Sequence, residues 1–144
     1  TEPAASGTLP LYVWRDGGEI SMYAFPVSGK GLWTTIYGYM ALDKKMESIV
    51  GVTFYRDGET PGLGGEVGKD WFQDQFKGKK IFENGQLLRL EVVKGKTADK
   101  YPQGNSHAVD GISGATLTGG GLNHFLNADI EKYEKYFKGI RNGA

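Results

Sequence analysis

The sequence predicts an α+β fold, a mostly antiparallel sheet built from hairpins with packed helices, in a single domain. Three observations carry that reading. Period-two segments bounded by turn residues fill the first half of the chain, a helical apolar stripe fills its end, and the two patterns do not alternate. With 144 residues, no internal repeat and no shift of composition, the chain is one domain's worth of material. That domain spans residues 11–144. Residues 1–10 read as a flexible N-terminal remnant, a linker or a cloning product. The chain opens on Thr1 and the small polar run Glu2-Pro3-Ala4-Ala5-Ser6-Gly7, as a cut that removed an upstream anchor would leave it.

The elements follow in order. Residues 11–14 and 19–25 flank Asp16-Gly17-Gly18, a hairpin with suitable turn residues. Residues 37–42 and 48–55 flank Asp43-Lys44-Lys45-Met46 and make a second hairpin. Two glycine-rich loops lie between the predicted strands, at residues 28–33 and 59–65. Residues 70–76 predict a short helix whose Trp71, Phe72 and Phe76 face the core. Residues 86–93 predict another strand, with Leu88, Leu90 and Val92 alternating against Arg89 and Glu91. The last helix is expected from about Gly120 to Lys138. Leu122, Phe125, Leu126, Ile130, Tyr133 and Phe137 line its stripe, Asn123, Asp129, Lys132 and Lys135 lie away from it, and Gly139 stops it.

Composition removes several function classes. Lysine plus arginine number 17 and aspartate plus glutamate 17, so there is no basic excess for a nucleic-acid surface. Cysteine is absent, which excludes thiol catalysis, disulfides and thiolate zinc sites. No apolar run approaches the roughly 18 residues that a membrane span needs. Phosphate-loop and dinucleotide signatures also fail. Leu63 stands where a glycine is needed upstream of Gly68-Lys69, Asp70 replaces the hydroxyl residue, and Val67 occupies the third glycine position after Gly62 and Gly64. The two histidines, His107 and His124, read as a solvated loop residue and a helix residue.

The segment 110–121 is different, because it opens directly into the last helix. Its Ser113, Thr116 and Thr118 place three hydroxyls among nearly side-chain-free neighbours, where a helix N-terminus offers unpaired amides and a positive dipole end. Two readings are open on spacing alone: a phosphate site, or an ordinary strand-to-helix turn capped by Thr118.

The residues Asp110-Gly111-Ile112-Ser113-Gly114-Ala115-Thr116 match in full the flavinylation motif of the FMN-binding domain family, and the chain resembles that family over nearly its whole length. Pro26 to Trp33, Tyr37-Gly38-Tyr39, Gly58 to Gly65, Trp71-Phe72 and Gln75 to Lys79 are similar to the C subunits of Na+-translocating NADH:quinone oxidoreductases. The G subunits of Rnf electron-transport complexes share the flavin motif. The resemblance implies FMN held covalently by a phosphoester to Thr116, placed there by a dedicated flavin transferase. The phosphate would be stabilised by the amides of Leu117 and Thr118, with Ser113, Gly114 and Ala115 completing the loop. Asp110 occupies the motif's acidic position, for flavin, transferase or turn. Loops holding Glu59, Thr60, Gly62, Leu63 and Gly64, and Lys30, Gly31, Leu32 and Trp33, are expected to wall the isoalloxazine ring. Glu59 would mainly fix its loop by accepting from backbone amides. Lys30 would face either the phosphate or solvent.

The implied function is electron relay among other subunits of a membrane-bound, sodium-pumping reductase. The domain would sit on the outer, periplasmic face of the bacterial cytoplasmic membrane, anchored by an N-terminal helix that this chain lacks. No catalytic residue, metal or nucleic acid is implied, and the isolated domain should not oxidise NADH. A flavinylated carrier of an Rnf-type or other extracytoplasmic chain, and a flavin-free binding domain, are the alternatives.

Overall fold

A computed structural model describes residues 9–142. Residues 1–8, most of the expected N-terminal remnant, lie outside the described residues. Four strands form an antiparallel meander in the order β1 (Tyr12–Asp16), β2 (Glu19–Lys30), β3 (Thr35–Asp43) and β4 (Ile49–Arg56). Both expected hairpins are present, joined into one sheet by the β2–β3 pairing from Met22↔Asp43 to Lys30↔Thr35. Because β2 continues through Lys30, the first glycine loop shrinks to residues 31–34.

The sheet has one covered face. Tyr23, Phe25 and Val27 of β2 and Ile36, Met40 and Leu42 of β3 point into the core, in the period of two expected of strands. They meet the C-terminal helix α3 (Thr116–Arg141), whose Leu122, Phe125, Leu126, Ile130, Tyr133 and Phe137 are all buried. Phe25 packs against Tyr133 and Phe137 at ring-centroid distances of 4.6 and 5.4 Å. Leu9 and Leu11 pack against the same core, and the Tyr133 hydroxyl donates to the Pro10 carbonyl at 2.5 Å.

Helix α3 exceeds its expected bounds at both ends. It starts at Thr116 because its first turns are held by tertiary contacts that offset three consecutive glycines. It runs past Gly139 because Arg141 donates to the Met46 carbonyl at 3.1 and 2.7 Å, pairs with Glu134 and lies 3.7 Å from the Phe82 ring. Asn123 and Asp129 do not lie away from the packed side. Asp129 is buried and accepts from the Ser28 amide at 2.9 Å.

Residues 70–76 form α1 (Asp70–Gln73) and a 3-10 turn (Asp74–Phe76). Phe72 and Phe76 enter the core as expected, but Trp71 is exposed, with its indole N–H donating to Glu66. Residues 86–93 are not one strand. They divide into β6 (Gln86–Leu87), which pairs with β5 (Phe82–Glu83), and β7 (Glu91–Val92), which runs parallel to β8 (Ala108–Val109). On one edge, the amides of Glu91 and Val93 bond the carbonyls of His107 and Val109. On the other edge no strand is present among the described residues. Asn127 pairs with both backbone groups of Leu90 (2.8 and 2.8 Å), and Asn123 does the same for Val92 (2.5 and 3.1 Å). Two helix side chains one turn apart thus substitute for a neighbouring strand. Between β7 and β8 lies the single turn α2 (Thr97–Lys100), near which His107 packs edge-on to Tyr101 at 5.4 Å.

Candidate functional site at the start of the C-terminal helix

The first turn of α3 is uncapped. Ala115 occupies the capping position with no side-chain hydrogen bond, and no acidic residue lies in the first turn. The amide of Gly119 reaches the Ala115 carbonyl at 3.0 Å, so those of Thr116, Leu117 and Thr118 precede the first intrahelical bond. Upstream, the Ala115 amide closes on the Ile112 carbonyl at 3.0 Å, and Gly114 has φ of 74°, a left-handed conformation that suits glycine.

The two helix threonines have opposite fates. At 100° per residue, Thr116 and Thr118 lie about 200° apart around the axis. Thr118 is 2% exposed, and its hydroxyl donates to Glu59 Oε1 at 2.9 Å. It therefore does not cap the helix. Thr116 is exposed and lines a groove of about 200 Å³ with Gly119, Gly120 and Asn123 on α3, Val92, Val93, Lys94 and Gly95, and Gly111, Ile112 and Ala115.

Glu59 organises the closed side. It is 4% exposed and accepts from the amides of Leu32 (2.6 Å), Trp33 (2.9 Å) and Thr34 (3.0 Å) as well as from Thr118. Burial pushes its carboxyl up, but the bonds from Leu32, Trp33, Thr118 and Thr34 together outweigh it and hold the pKa below the ordinary carboxylate value. One carboxylate thus joins the β2–β3 turn, the loop after β4 and the helix start. Any side chain at Gly121 would collide with the Lys30 carbonyl, so glycine permits this close approach.

Asp110 is engaged by the residues around α2. Its Oδ1 accepts from the Thr97 amide at 2.7 Å and hydroxyl at 2.9 Å, and Lys96 approaches Oδ2 at 3.7 Å. The Thr97 amide, foremost among these, keeps its carboxyl below the ordinary range. Its backbone is clamped by Gln75, which accepts from the Asp110 amide at 2.8 Å and donates to its carbonyl at 3.3 Å. Asp110 therefore braces the loop that delivers Thr116.

The structure gathers most of the predicted residues around the helix start and separates them by face. Glu59, Gly64, Gly31 and Leu32 lie on the Thr118 side. Leu63, 42% exposed, approaches Gly114 so closely that a Cβ there would stand 3.0 Å from its Cδ2. The Thr60 carbonyl accepts from the amides of Leu63 and Gly65, and Gly62 takes φ of 77° in that turn. Ser113, Leu117 and Trp33 are exposed, and Lys30 ends β2 with its side chain exposed. Sequence reasoning missed the groove residues Val92, Val93, Lys94, Gly95 and Asn123, and gave Gly119 and Gly120, which lie in the segment 110–121, no role. For residues 92–95 and Asn123 the available signal is the Asn123–Asn127 pair at helical spacing beside the stripe.

Free amides without a competing acid, an accessible hydroxyl and an adjoining groove suit a phosphate-bearing cofactor. The chain belongs to the FMN-binding domain family, whose sequence profile matches residues 31–131. Among individual proteins, it is similar to the C subunit of the Na(+)-translocating NADH-quinone reductase of Vibrio anguillarum, at 44% identity over 119 residues, covering 83% of this chain and 45% of that protein. The C subunit of the Yersinia pestis reductase is 36% identical over 142 residues, covering 96% and 52%. The crystal structure of Shewanella oneidensis NqrC superposes with a TM-score of 0.82 at 33% identity, covering 94% of this chain and 62% of that one. For the C subunit of the Parabacteroides distasonis reductase the TM-score is 0.77 at 36% identity, covering 90% and 62%. The chain spans about half the length of the curated relatives it matches.

Proposed function

We propose that this domain carries FMN as a phosphoester on Thr116 and relays electrons within a membrane-bound, Na+-translocating NADH:quinone reductase. The observation that carries the attachment is the contrast between two hydroxyls in one helical turn. Thr116 is open beside three free amides, whereas Thr118 is buried and committed to Glu59. The Thr116 oxygen forms the new bond to phosphorus. On a donor whose FMN phosphate is activated as a phosphoanhydride, the anhydride P–O bond breaks as the Thr116 O–P bond forms. The departing phosphate takes the electron pair, and the hydroxyl proton passes to solvent. The free amides and the helix dipole then hold the anionic diester. Asp110 and Gln75 keep the loop in place, and Glu59 fixes the helix against the β2–β3 turn.

The bound flavin supplies the redox chemistry, and the protein supplies position and permanence. A phosphate linkage leaves the ring electronically unmodified, and a tethered cofactor is not lost on the outer face of a membrane. Similarity to C subunits of a multi-subunit reductase supports the remaining reductase subunits as partners; a flavin transferase and an N-terminal membrane helix belong to the same proposal. Among the described residues no helix is long and apolar enough to cross a membrane.

The test is intact mass and peptide mapping of the protein made with a flavin transferase. The expected result is an added FMN minus one water on the peptide containing Thr116, absent in a folded Thr116→Ala variant. Covalent FMN persisting in Thr116→Ala would move the attachment to another hydroxyl, and an unmodified parent chain beside a loaded control would remove the flavin reading.

A further inference from the structure

The loop that carries Thr116 leaves β8 at Asp110. Within it the Ala115 amide closes on the Ile112 carbonyl, and the Gly111 amide donates to the Gly95 carbonyl at 2.9 Å. Its upstream end is fixed from a different part of the fold. Gln75 Oε1 accepts from the Asp110 amide at 2.8 Å, and Gln75 Nε2 donates to the Asp110 carbonyl at 3.3 Å. Gln75 is half-buried on the 3-10 turn Asp74–Phe76, which Phe76 seats in the core. Two residues earlier, Gln73 uses the same amide chemistry in another direction: its side-chain carbonyl accepts from the Phe54 amide of β4 at 2.7 Å. Asn123 and Asn127 brace Val92 and Leu90 from α3, whereas Gln75 braces Asp110 from the turn beside β4.

We propose that Gln75 is a positioning residue for flavin transfer. It acts not on Thr116 directly but through the Asp110 backbone, setting where the threonine hydroxyl stands when the phosphoanhydride donor is attacked. The proposal rests on Thr116 as the attachment point. The chemical step is unchanged: the Thr116 O–P bond forms as the anhydride P–O bond breaks. Gln75 governs how often the loop stands in the reactive place, and such a step is sensitive to small misplacements. This role is separable from folding. The contact of Phe25 with Tyr133 and Phe137, and the junction at Glu59, are made without Gln75. At a half-buried site water can take over the bonds of the lost amide, so the domain stays folded while its loop loosens.

The experiment measures initial rates of covalent FMN attachment by intact mass. It uses purified flavin transferase, flavin adenine dinucleotide as the phosphoanhydride donor, and the domain as the varied substrate. Gln75→Ala is compared with the parent chain and with Gln73→Ala, which removes a bond of the same turn to β4 and leaves the loop untouched. In folded Gln75→Ala, kcat should fall roughly tenfold, the factor carried by two net hydrogen bonds, with KM for the domain within about twofold of the parent. Gln73→Ala should keep both parent values. Gln75→Met, which keeps the volume and loses the bonds, should match Gln75→Ala and replaces it if that variant does not fold. A parent-like kcat in the folded Gln75 variants overturns the positioning role while leaving attachment at Thr116 intact. An equal loss in Gln73→Ala overturns it too, by tracing the effect to the turn, as does a raised KM at unchanged kcat, which would make Gln75 a docking contact. If neither Gln75 variant folds, the separation from folding fails and the proposal with it. A parent chain that takes up no FMN, or takes it up on a peptide without Thr116, overturns the attachment itself.

Discussion

Glu59 joins three segments that are remote in sequence, accepting from Leu32, Trp33, Thr34 and Thr118 from a buried position. Removing it leaves those donors unpaired where water has little access. Glu59→Ala should therefore destabilise the domain by about 3 kcal/mol, read from urea denaturation at neutral pH. A cost within a few tenths of a kcal/mol would show that the junction is dispensable. The same residue sets a pH dependence. Its folded pKa lies below its unfolded value, so its contribution is full above the ordinary carboxylate range and is lost as pH falls through the folded pKa. The stability gap between the parent and Glu59→Gln should be widest above the ordinary carboxylate range and narrow as the pH falls below it. A gap that widens on acidification would reverse the assigned sign.

Residues 90–93 show how an element can be completed by its neighbour. Parallel pairing with β8 satisfies one edge, and the amides of Asn123 and Asn127 satisfy the other. Asn127 is buried, and its Nδ2 also donates to the Asn123 carbonyl at 2.6 Å, so the pair acts as a unit. Asn127→Ala should cost about 2 kcal/mol, leaving Leu90 with an unmet donor and acceptor. Hydrogen exchange is the discriminating measurement: the Leu90 amide should lose protection well before amides in the β2–β3 ladder. Uniform loss across the domain would instead mean that the segment has no stability of its own.

Over the molecule as a whole, one helix covers one face of one sheet. Phe25 is fully buried between Tyr133 and Phe137, at the centre of that contact. Phe25→Ala should destabilise by about 3–5 kcal/mol, the usual range for a buried aromatic, and lower Tm by roughly 10 °C or more for a domain of this size. Calorimetry of the variant checks both. A loss below about 1 kcal/mol would mean that the helix and sheet do not form one cooperative core. The opposite face of the sheet presents Tyr37, Tyr39 and Tyr55, the last two stacked at 5.6 Å, with Arg56 lying 4.4 Å from the Tyr37 ring.

The hairpins, the apolar stripe of the last helix and the threonine-bearing loop before it were legible in the sequence, because each is a local pattern: alternation, helical spacing, or a contiguous run of residues. The helix bounds were not, since Thr118 and Arg141 extend it through bonds to Glu59 and Met46, partners 59 and 95 positions away. Nor was the break in residues 86–93, where the alternation of Leu88, Leu90 and Val92 is genuine but two asparagines of a distant helix replace the missing strand. Local pattern was enough to establish which hydroxyls stand near a helix start. That Thr118 is spent on Glu59 while Thr116 opens onto a groove came from the folded arrangement alone. The choice depends on which sides of the helix meet the sheet turn and the Val92 wall, and periodicity along the chain does not encode contacts across it.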